Sequence, residues 1–319
     1  MAGHSMTDAS TSSHSLQAGF VHEALMYRDE AELDAAMHAF LQEAAAAGEP
    51  VLIALPGAHL EHAREMLGEL MVEARLEDTE LVGRNPSCLL PMIEEWVTSH
   101  GGHARVVSEV VWPGRSRAEA VEALRHEALV NHALADSAAT VMSPFDAEHL
   151  DADILSGVEM THPTIVEGGR RRAGTAYTDP LSTTFGELWP LEDPAGPVSE
   201  HPLDGTLMEL RRAIAVDPAL GSLSAQRRSD LVFAINEAAS NVVKHGNTTC
   251  LTRIWHDGDE VVTEVSSDSG IPDVMAGRRR PAADALQGRG LWLINQLCDL
   301  VELRSGTSGM TLRMHIKEH

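Results

Sequence analysis

The apolar run Val51–Leu55 and the helical pattern before it constrain the fold more than any other part of the sequence. Asp29 and Glu32 have the spacing of a helix capping box, and Gly48 ends the amphipathic segment that they open. The apolar run then predicts a strand without a polar face, which needs cover on both sides. A chain that begins in this way is expected to fold as layers of helices around a sheet.

The same alternation of helix and strand continues to about residue 165. Asn85-Pro86 predicts the start of one helix, and Ser116 with Glu119 has the spacing that caps the next. Two further apolar runs predict strands: Ala104–Val110 and Ala139–Met142. Residues 18–166 are therefore predicted to form an α/β domain with a mainly parallel sheet.

The charge and hydropathy of the chain restrict the kinds of molecule that the protein is expected to bind. The chain has 48 acidic and 24 basic residues, and residues 1–200 hold 33 of the acidic and 11 of the basic ones. Nucleic-acid binding needs clustered cations, so no nucleic-acid partner is expected. No apolar run reaches the roughly 18 residues of a membrane span, so no membrane partner is expected either. Three widely separated cysteines fit a reducing, cytoplasmic location.

Three further segments complete the predicted organisation. Residues 1–17 are polar and rich in His and Ser, which predicts a disordered leader and not a signal peptide. Residues 167–202 contain glycines, prolines and Arg170-Arg-Arg172 and are interpreted as a linker, in which the arginines are more simply solvated than a nucleic-acid patch. In residues 203–319 helices and strands do not alternate strictly, which predicts a separate α+β sandwich.

One helix of this second domain carries a polar constellation. Glu237, Asn241 and His245 are spaced four residues apart and therefore share a face of the helix. A carboxamide oxygen suits Mg²⁺, and a carboxylate can orient or deprotonate a hydroxyl. Taken alone, this spacing is more typical of an ordinary solvated helix face.

Three later segments strengthen the interpretation because of their order. Asp268 and Gly270 lie at a strand end, where a carboxylate could accept from an adenine amino group and glycine lets the backbone come close. Gly288 and Gly290 directly precede an apolar helix, whose N-terminus favours phosphate. Thr311 opens the last strand with a hydroxyl. Each segment alone is compatible with an ordinary turn or cap.

Together these motifs resemble the anti-sigma-factor serine/threonine kinase (RsbW-like) branch of the GHKL ATPase superfamily. The resemblance implies a Bergerat-type sandwich that binds ATP and Mg²⁺, with Asn241 as the Mg²⁺ ligand and Glu237 as the catalytic base. It also implies a set of nucleotide-binding residues: His245, Asp268, Gly270, Gly288, Arg289, Gly290 and Thr311. Residues 271–287 correspond to the lid over the nucleotide, although the turn after Gly270 lacks the second glycine that many members carry.

The resemblance further implies protein partners. Kinases of this kind bind a sigma factor and phosphorylate a STAS-type antagonist, and they can form homodimers. The expected function is signal-responsive regulation of transcription in a stress response. Two alternatives stay open at this point: a catalytically weak, ATP-gated sigma-binding module, and a sensor histidine kinase.

The first domain is similar to the MEDS sensory domain of bacterial regulators. The resembling stretches are Val21–Tyr27, Glu49–Ile53, Val111–Arg115, Arg125–Leu129 and Ser143–Asp146. The resemblance implies a sensor of an unspecified small signal. The polar candidates for its pocket are His22, Trp112, Arg115, His126 and Glu127, each of which is also compatible with a half-buried structural role.

Two other chemistries are weighed for the first domain. His126-Glu127 has the form of a phosphoacceptor pair, but no dimerising helical hairpin surrounds it. The absence of lysine from residues 1–200 excludes a Walker-type phosphate loop. The histidines show no repeated metal-ligand spacing, so a zinc site is not expected there, although convergence in space could still form one.

Overall fold

The computed structural model describes residues 19–68, 70–178, 189–194, 196–244, 249–271, 273–282, 288–306 and 309–318. The leader that the sequence predicts over residues 1–17 and the candidate His245 lie outside the described residues. No helix within the described part of the chain has the length and apolar character needed to cross a membrane.

The first domain is a seven-stranded sheet with helices packed on it. The strands are β1 Val21–Tyr27, β2 Val51–Leu55, β3 Ala74–Asp78, β4 Arg105–Ser108, β5 Thr140–Asp146, β6 Thr164–Glu167 and β7 Arg170–Ala173. Their order is β3-β2-β4-β5-β1-β6-β7, and every pair is parallel except β6 with β7. The helices are α1 Glu30–Ala47, α2 Gly57–Leu67, α3 Thr79–Val82, α4 Leu89–Ser99, α5 Arg117–Ala133 and α6 Ala152–Thr161.

Local sequence explains where these helices begin and end. The Asp29 side chain accepts from the backbone N–H of Glu32, and Gly48 ends α1 in the left-handed conformation. Ser116 and Glu119 form the reciprocal capping box of α5. Asn85 caps a short 3-10 turn, Pro86–Cys88, that leads into α4. All five residues of β2 are buried, as expected of a strand covered on both faces.

The structure differs from the sequence interpretation at both ends of the predicted linker. Gly168 and Gly169, both with positive φ, turn the chain so that β7 pairs antiparallel with β6. The arginines of β7 are paired with carboxylates: Arg171 Nε lies 2.6 Å from Glu23 Oε1, and Arg172 pairs with Glu159. At the other end, Ser199–Pro202 forms a strand of the second domain. The arginine run therefore extends the first sheet instead of forming a solvated loop.

The second domain is an antiparallel sheet covered by helices. Its strands are β8 Ser199–Pro202, β9 Cys250–Asp257, β10 Glu260–Ser267, β11 Leu300–Gly306 and β12 Gly309–Lys317, in the order β11-β12-β10-β9-β8. Its helices are α7 Leu207–Ala215, α8 Ala225–Lys244 and α9 Arg289–Leu297. Helix α8 packs against α7, α9, β9, β10 and β12 and buries Leu231, Ile235, Ala238 and Val242 in the core. This arrangement is the α+β sandwich that the sequence predicts.

Candidate nucleotide site and its contacts with the first domain

The polar face of α8 lies beside the apolar one that enters the core. Glu237 and Asn241 are half-buried, one turn apart, while Ala238 and Val242 next to them are buried. Among the described residues, no hydrogen bond engages the side chain of Glu237 or Asn241. These oxygen atoms are therefore free to contact a ligand.

The glycine pair before α9 brings the helix N-terminus against this face. A Cβ placed on Gly290 would lie 2.9 Å from Asn241 Nδ2 and 3.2 Å from Glu237 Oε2, so a larger residue would crowd both side chains. Gly288 caps the helix with a φ of 84°, which favours glycine. The unpaired N–H groups of the first turn of α9 thus open next to a carboxylate and a carboxamide.

Arg289 is exposed at the start of α9 and donates to the backbone oxygen of Ala282 in the lid at 3.4 Å. The arginine therefore joins the glycine motif to the lid segment.

The Asp268 turn and the last strand hold the other residues that the resemblance assigns to the site. Asp268 is exposed directly after β10, and Gly309 packs so tightly that a Cβ there would lie 2.2 Å from Ser267 O. Thr311 is half-buried opposite Ser266 in the β10–β12 ladder. A Cβ on Gly270 would lie 2.4 Å from Gly306 O. Because α8 packs on β10 and β12, the two parts lie on adjoining elements of the same domain.

The residues present fit a magnesium nucleotide. The oxygen donors of Glu237 and Asn241 are uncommitted, the close approach of Gly290 leaves no room for a side chain, and a helix N-terminus faces the same place. Asn241 would hold the ion, and Glu237 would face the reacting hydroxyl. His245, which the resemblance adds to this set, lies outside the described residues.

A buried carboxylate links the two domains. Glu122 of α5 has a fully buried side chain, and Arg278 Nη2 of the lid donates to its Oε2 at 2.9 Å. Arg304 of β11 donates to the other carboxylate oxygen, Oε1, and Arg125 Nη1 lies 3.7 Å from Oε2. Burial opposes ionisation here, but the guanidinium groups of Arg304, Arg125 and Arg278 outweigh it and hold the pKa of Glu122 below its ordinary value.

The lid also makes apolar and peripheral contacts with the first domain. Met275 is buried in the cluster that contains Leu90, Trp96 and Leu129 of that domain. Arg279 Nε donates to Glu94 at 3.0 Å near the surface. Asn295 Nδ2 of α9 donates to Gly277 O at 2.9 Å, which fixes the lid on its other side.

Contacts outside the lid close the same interface. Asn85 Nδ2 donates to Asn295 O at 3.0 Å, and the Cys88 thiol donates to the same oxygen at 3.2 Å. Arg84 Nη2 lies 2.5 Å from Asp299 Oδ1. Arg125 also donates to Leu303 O at 2.7 Å. The first domain therefore contacts the lid, α9 and β11 together.

Four of the five pocket candidates of the first domain form two pairs, and His126 belongs to neither pair. Arg115 stacks on Trp112, with its guanidinium carbon 3.8 Å from the ring centre, and donates to Gly83 O at 2.6 Å. His22 and Glu127 lie elsewhere, in the interior, with His22 Nε2 3.1 Å from Glu127 Oε2. His126 is completely buried, and neither of its ring nitrogens has a hydrogen-bond partner among the residues that the structure describes.

His162 joins the second pair, His22 with Glu127, and is a residue that sequence reasoning missed. It directly follows α6, and its Nε2 lies 3.5 Å from the same Glu127 oxygen. Burial opposes ionisation of Glu127, but the facing imidazoles of His162 and His22 outweigh it and lower the pKa of this carboxyl. Burial and the neighbouring His22 lower the pKa of His162 below its ordinary value. Glu127 lies 35 residues before His162 and shares no motif with it, so only the fold identifies this pair.

Two family models match the chain. Residues 203–316 match the histidine kinase-like ATPase domain, and residues 21–163 match MEDS, the methanogen/methylotroph DcmR sensory domain. The chain combines a MEDS domain with a histidine kinase-like ATPase domain. The MEDS resemblance, the ATPase type of the second domain and the fold class of each half are thereby confirmed.

Comparisons with curated proteins and with solved structures give no further information on the function. The search of curated proteins found no match. Among solved structures the chain is similar to the RsbU and RsbW domains of a Mycobacterium tuberculosis protein, with 21% identity and a TM-score of 0.30. That match covers 38% of this chain and 32% of the other, so the chain spans about a third of the solved chain.

Proposed function

We propose that this protein is a signal-responsive regulator that binds ATP with Mg²⁺ and phosphorylates a serine or threonine of a STAS-type anti-sigma antagonist. The main observation behind this proposal is that Gly290 lies close to Glu237 and Asn241. The N-terminus of α9, which suits phosphate, therefore lies beside the polar face of α8. The histidine kinase-like ATPase match over residues 203–316 supports nucleotide binding. The kinase activity, its residue specificity, the sigma factor as partner and a homodimer are parts of this proposal.

The roles of the residues follow from their positions. ATP would supply the phosphoryl group, and catalysis would then consist of positioning and charge stabilisation. Asn241 offers a neutral oxygen to Mg²⁺, and Glu237 accepts the proton of the attacking hydroxyl. The N–H groups at the start of α9, with Arg289 and Thr311, surround the phosphates, while Asp268 accepts from the adenine amino group.

The MEDS domain would regulate the site through the lid. Arg278 and Met275 belong to the segment that closes over nucleotide in the resembling family, and both are buried against the MEDS domain. A signal that shifts α5 would change how firmly Glu122 retains Arg278. Release of the lid would then change the affinity for ATP, because a ligand favours the state in which its contacts are better.

The buried position of His126 disfavours the histidine kinase alternative. A phosphoacceptor must reach the γ-phosphate of ATP, and this side chain is completely buried inside the first domain. The catalytically weak, ATP-gated binding module remains the second candidate, because the lid turn Gly270-Ile-Pro-Asp lacks the second glycine of many relatives.

The first test is calorimetric titration of the full chain with ATP and Mg²⁺. Wild type is expected to show saturable binding, and Asn241→Ala and Asp268→Ala are expected to lose it. Asn236→Ala on the same helix and Asp257→Ala at a strand end are matched controls that should bind like wild type. Absence of binding by folded wild type, or equal binding by all four variants, would contradict the nucleotide site.

The second test separates the kinase from the binding module. Transfer of radiolabelled phosphate from ATP to a panel of STAS-domain proteins is expected for wild type. Glu237→Gln should abolish the transfer while it retains ATP binding. ATP binding without transfer to any of these proteins, under conditions where the panel is folded, would favour the ATP-gated module.

A further inference from the structure

Three buried side chains of the MEDS domain meet at one point in its interior. His22 is on β1, Glu127 is on α5 and His162 follows α6, and their side chains are at most 1% exposed. One ligand atom from each lies within 4.8 Å of the other two. A charged carboxylate in such a place requires a cation or several hydrogen bonds.

The hydrogen bond of His22 fixes which of its nitrogens carries the proton. Asn131 Nδ2 donates to two backbone oxygens, Glu127 O at 3.2 Å and Thr161 O at 2.8 Å. Those acceptors determine the orientation of the amide, so its Oδ1 is the atom that faces His22 Nδ1 at 3.0 Å. An oxygen of this kind only accepts, and Nδ1 of His22 is therefore protonated.

His162 is held in the same way. Its Nδ1 lies 3.0 Å from the backbone oxygen of Val158, which can only accept. Nδ1 therefore carries a proton, which leaves Nε2 as the nitrogen that can bind a metal ion. Within the described part of the chain, neither this buried Nε2 nor Glu127 Oε1 has a hydrogen-bond partner.

The Nε2 atoms of two imidazoles and a carboxylate thus face one another. From the residues and distances alone, we propose that His22 Nε2, His162 Nε2 and Glu127 bind a divalent transition-metal ion of the Zn²⁺ or Fe²⁺ type. Oxygen acceptors on both Nδ1 atoms are the outer-shell contacts that orient metal-binding histidines. The mixed nitrogen and oxygen donors exclude Mg²⁺ and Ca²⁺ as the preferred ions, because those ions take oxygen ligands.

The spacing of the ligand atoms fits such an ion. Bonds of about 2.1 Å at tetrahedral angles place neighbouring ligand atoms about 3.4 Å apart. Glu127 Oε2 lies 3.1 Å from His22 Nε2 and 3.5 Å from His162 Nε2. Ser143 Oγ donates to Glu127 Oε2 at 3.0 Å, which holds the carboxylate in position.

Three protein ligands leave a coordination position open. Sites of this type accept water or a small donor molecule at that position, whereas structural zinc sites are closed by a fourth side chain. The metal would therefore give the MEDS domain a means of binding a small molecule with an oxygen, nitrogen or sulfur donor. This step from metal to signal rests on the proposed sensory function, but the metal site itself does not.

The test uses the full chain without an affinity tag, dialysed against EDTA and titrated with Zn²⁺ and, separately, Co²⁺. One ion per chain is expected, with a Co²⁺ visible spectrum typical of four or five ligands and a higher melting temperature in the presence of Zn²⁺. Glu127→Gln and His162→Gln should weaken binding at least 100-fold. His149→Gln, an exposed histidine 2.8 Å from Asp146, is the control and should bind like wild type.

The outcomes are distinguishable from failure of the nucleotide site. Circular dichroism and cooperative thermal unfolding of each variant are measured in parallel and report, independently of nucleotide, that the chain is folded. Wild type that binds no ion, or variants that bind Zn²⁺ as tightly as wild type, would overturn the proposal in favour of a protonated His–Glu cluster. If Glu127→Gln does not fold, His162→Gln and the Co²⁺ spectrum of wild type decide the question.

Discussion

Arg278 of the lid and Glu122 of the MEDS domain form a buried ion pair, with Nη2 2.9 Å from Oε2. The segment around Arg278, which the resemblance assigns to the lid, is therefore bound to a helix of the other domain. The same helix, α5, carries Glu127 five residues further along, roughly 7.5 Å away along the axis. One rigid element thus joins the histidine cluster to the lid.

Removal of the charge on Glu122 tests this interface. Glu122→Gln leaves Arg125, Arg278 and Arg304 without their buried counter-charge, so we expect a loss of about 3–5 kcal/mol in stability. Glu94→Gln removes the second lid contact, where Arg279 is half exposed, and should cost less than about 1 kcal/mol. Thermal unfolding measures both variants, and hydrogen exchange should show faster exchange of residues 273–282 only in Glu122→Gln. Equal effects of the two substitutions would contradict the role of Glu122.

A methyl group at Gly290 should obstruct the nucleotide site. The new Cβ would lie 2.9 Å from Asn241 Nδ2, and overpacking of about 1–3 kcal/mol corresponds to roughly 5- to 150-fold weaker ATP binding. Gly221→Ala is the control, because no atom lies within 4 Å of a Cβ there. Calorimetry with ATP and Mg²⁺ measures both. If Gly290→Ala binds ATP like Gly221→Ala, the glycine motif is not part of the site.

The stability of the ATPase domain should fall on going from neutral to alkaline pH. Burial disfavours the charged form of His315, but hydrogen bonds to Glu260 and Glu302 outweigh it and raise its pKa to about 9. The folded pKa exceeds the ordinary value of about 6.5, so this stabilisation is complete below pH 6.5 and is lost as the pH rises through 9. The shift corresponds to about 3 kcal/mol.

The comparison with His315→Gln isolates this contribution. His59 has a similarly raised pKa, mainly through its hydrogen bond to Glu109, and is present in both proteins. Urea unfolding at pH 6, 7.5 and 9.5 should show a steeper decline in the free energy of unfolding for wild type than for the variant. Parallel curves would show that His315 is not charged in the folded state.

The thiol of Cys88 should report separation of the two domains. Burial raises the pKa of Cys88 to about 11, and its thiol is bonded to Asn295 O across the interface. The thiolate fraction at pH 8 is then about 0.001, which predicts slow reaction with a disulfide reagent. Glu122→Gln should speed the labelling of Cys88 and leave that of Cys250 unchanged, as peptide mass spectrometry can measure. Labelling of Cys88 in folded wild type at the rate seen in urea would contradict the closed interface.

Local sequence predicts most of the helices and strands because their determinants are local. The capping box of Ser116 with Glu119 and the apolar run Val51–Leu55 have the structures that their patterns indicate. The spacing of Glu237 and Asn241 also places both on one helix face, and the order of the glycine motifs indicates the ATPase fold. These features depend on residues a few positions apart.

The remaining features depend on distant residues and could not be read from the sequence. His162 meets Glu127 only because α5 and α6 pack together, and no spacing relates it to His22. In the sequence, Glu122 is a single charge among alanines and leucines and gives no sign of its buried ion pairs. Only the fold brings the lid and β11 into contact with it. Gly168-Gly169 could have been recognised as a hairpin turn between two short strands, but the arginines that follow suggested a solvated loop.

The three guanidinium groups around Glu122 have a consequence for how the domains come apart. An interface formed mainly by apolar side chains exposes apolar surface when it opens, and the open form tends to aggregate. Here much of the buried contact is ionic, and these groups regain hydration in water at little net loss. The opened protein would therefore stay dissolved and close again, so that the junction can work through many cycles of separation and reassembly.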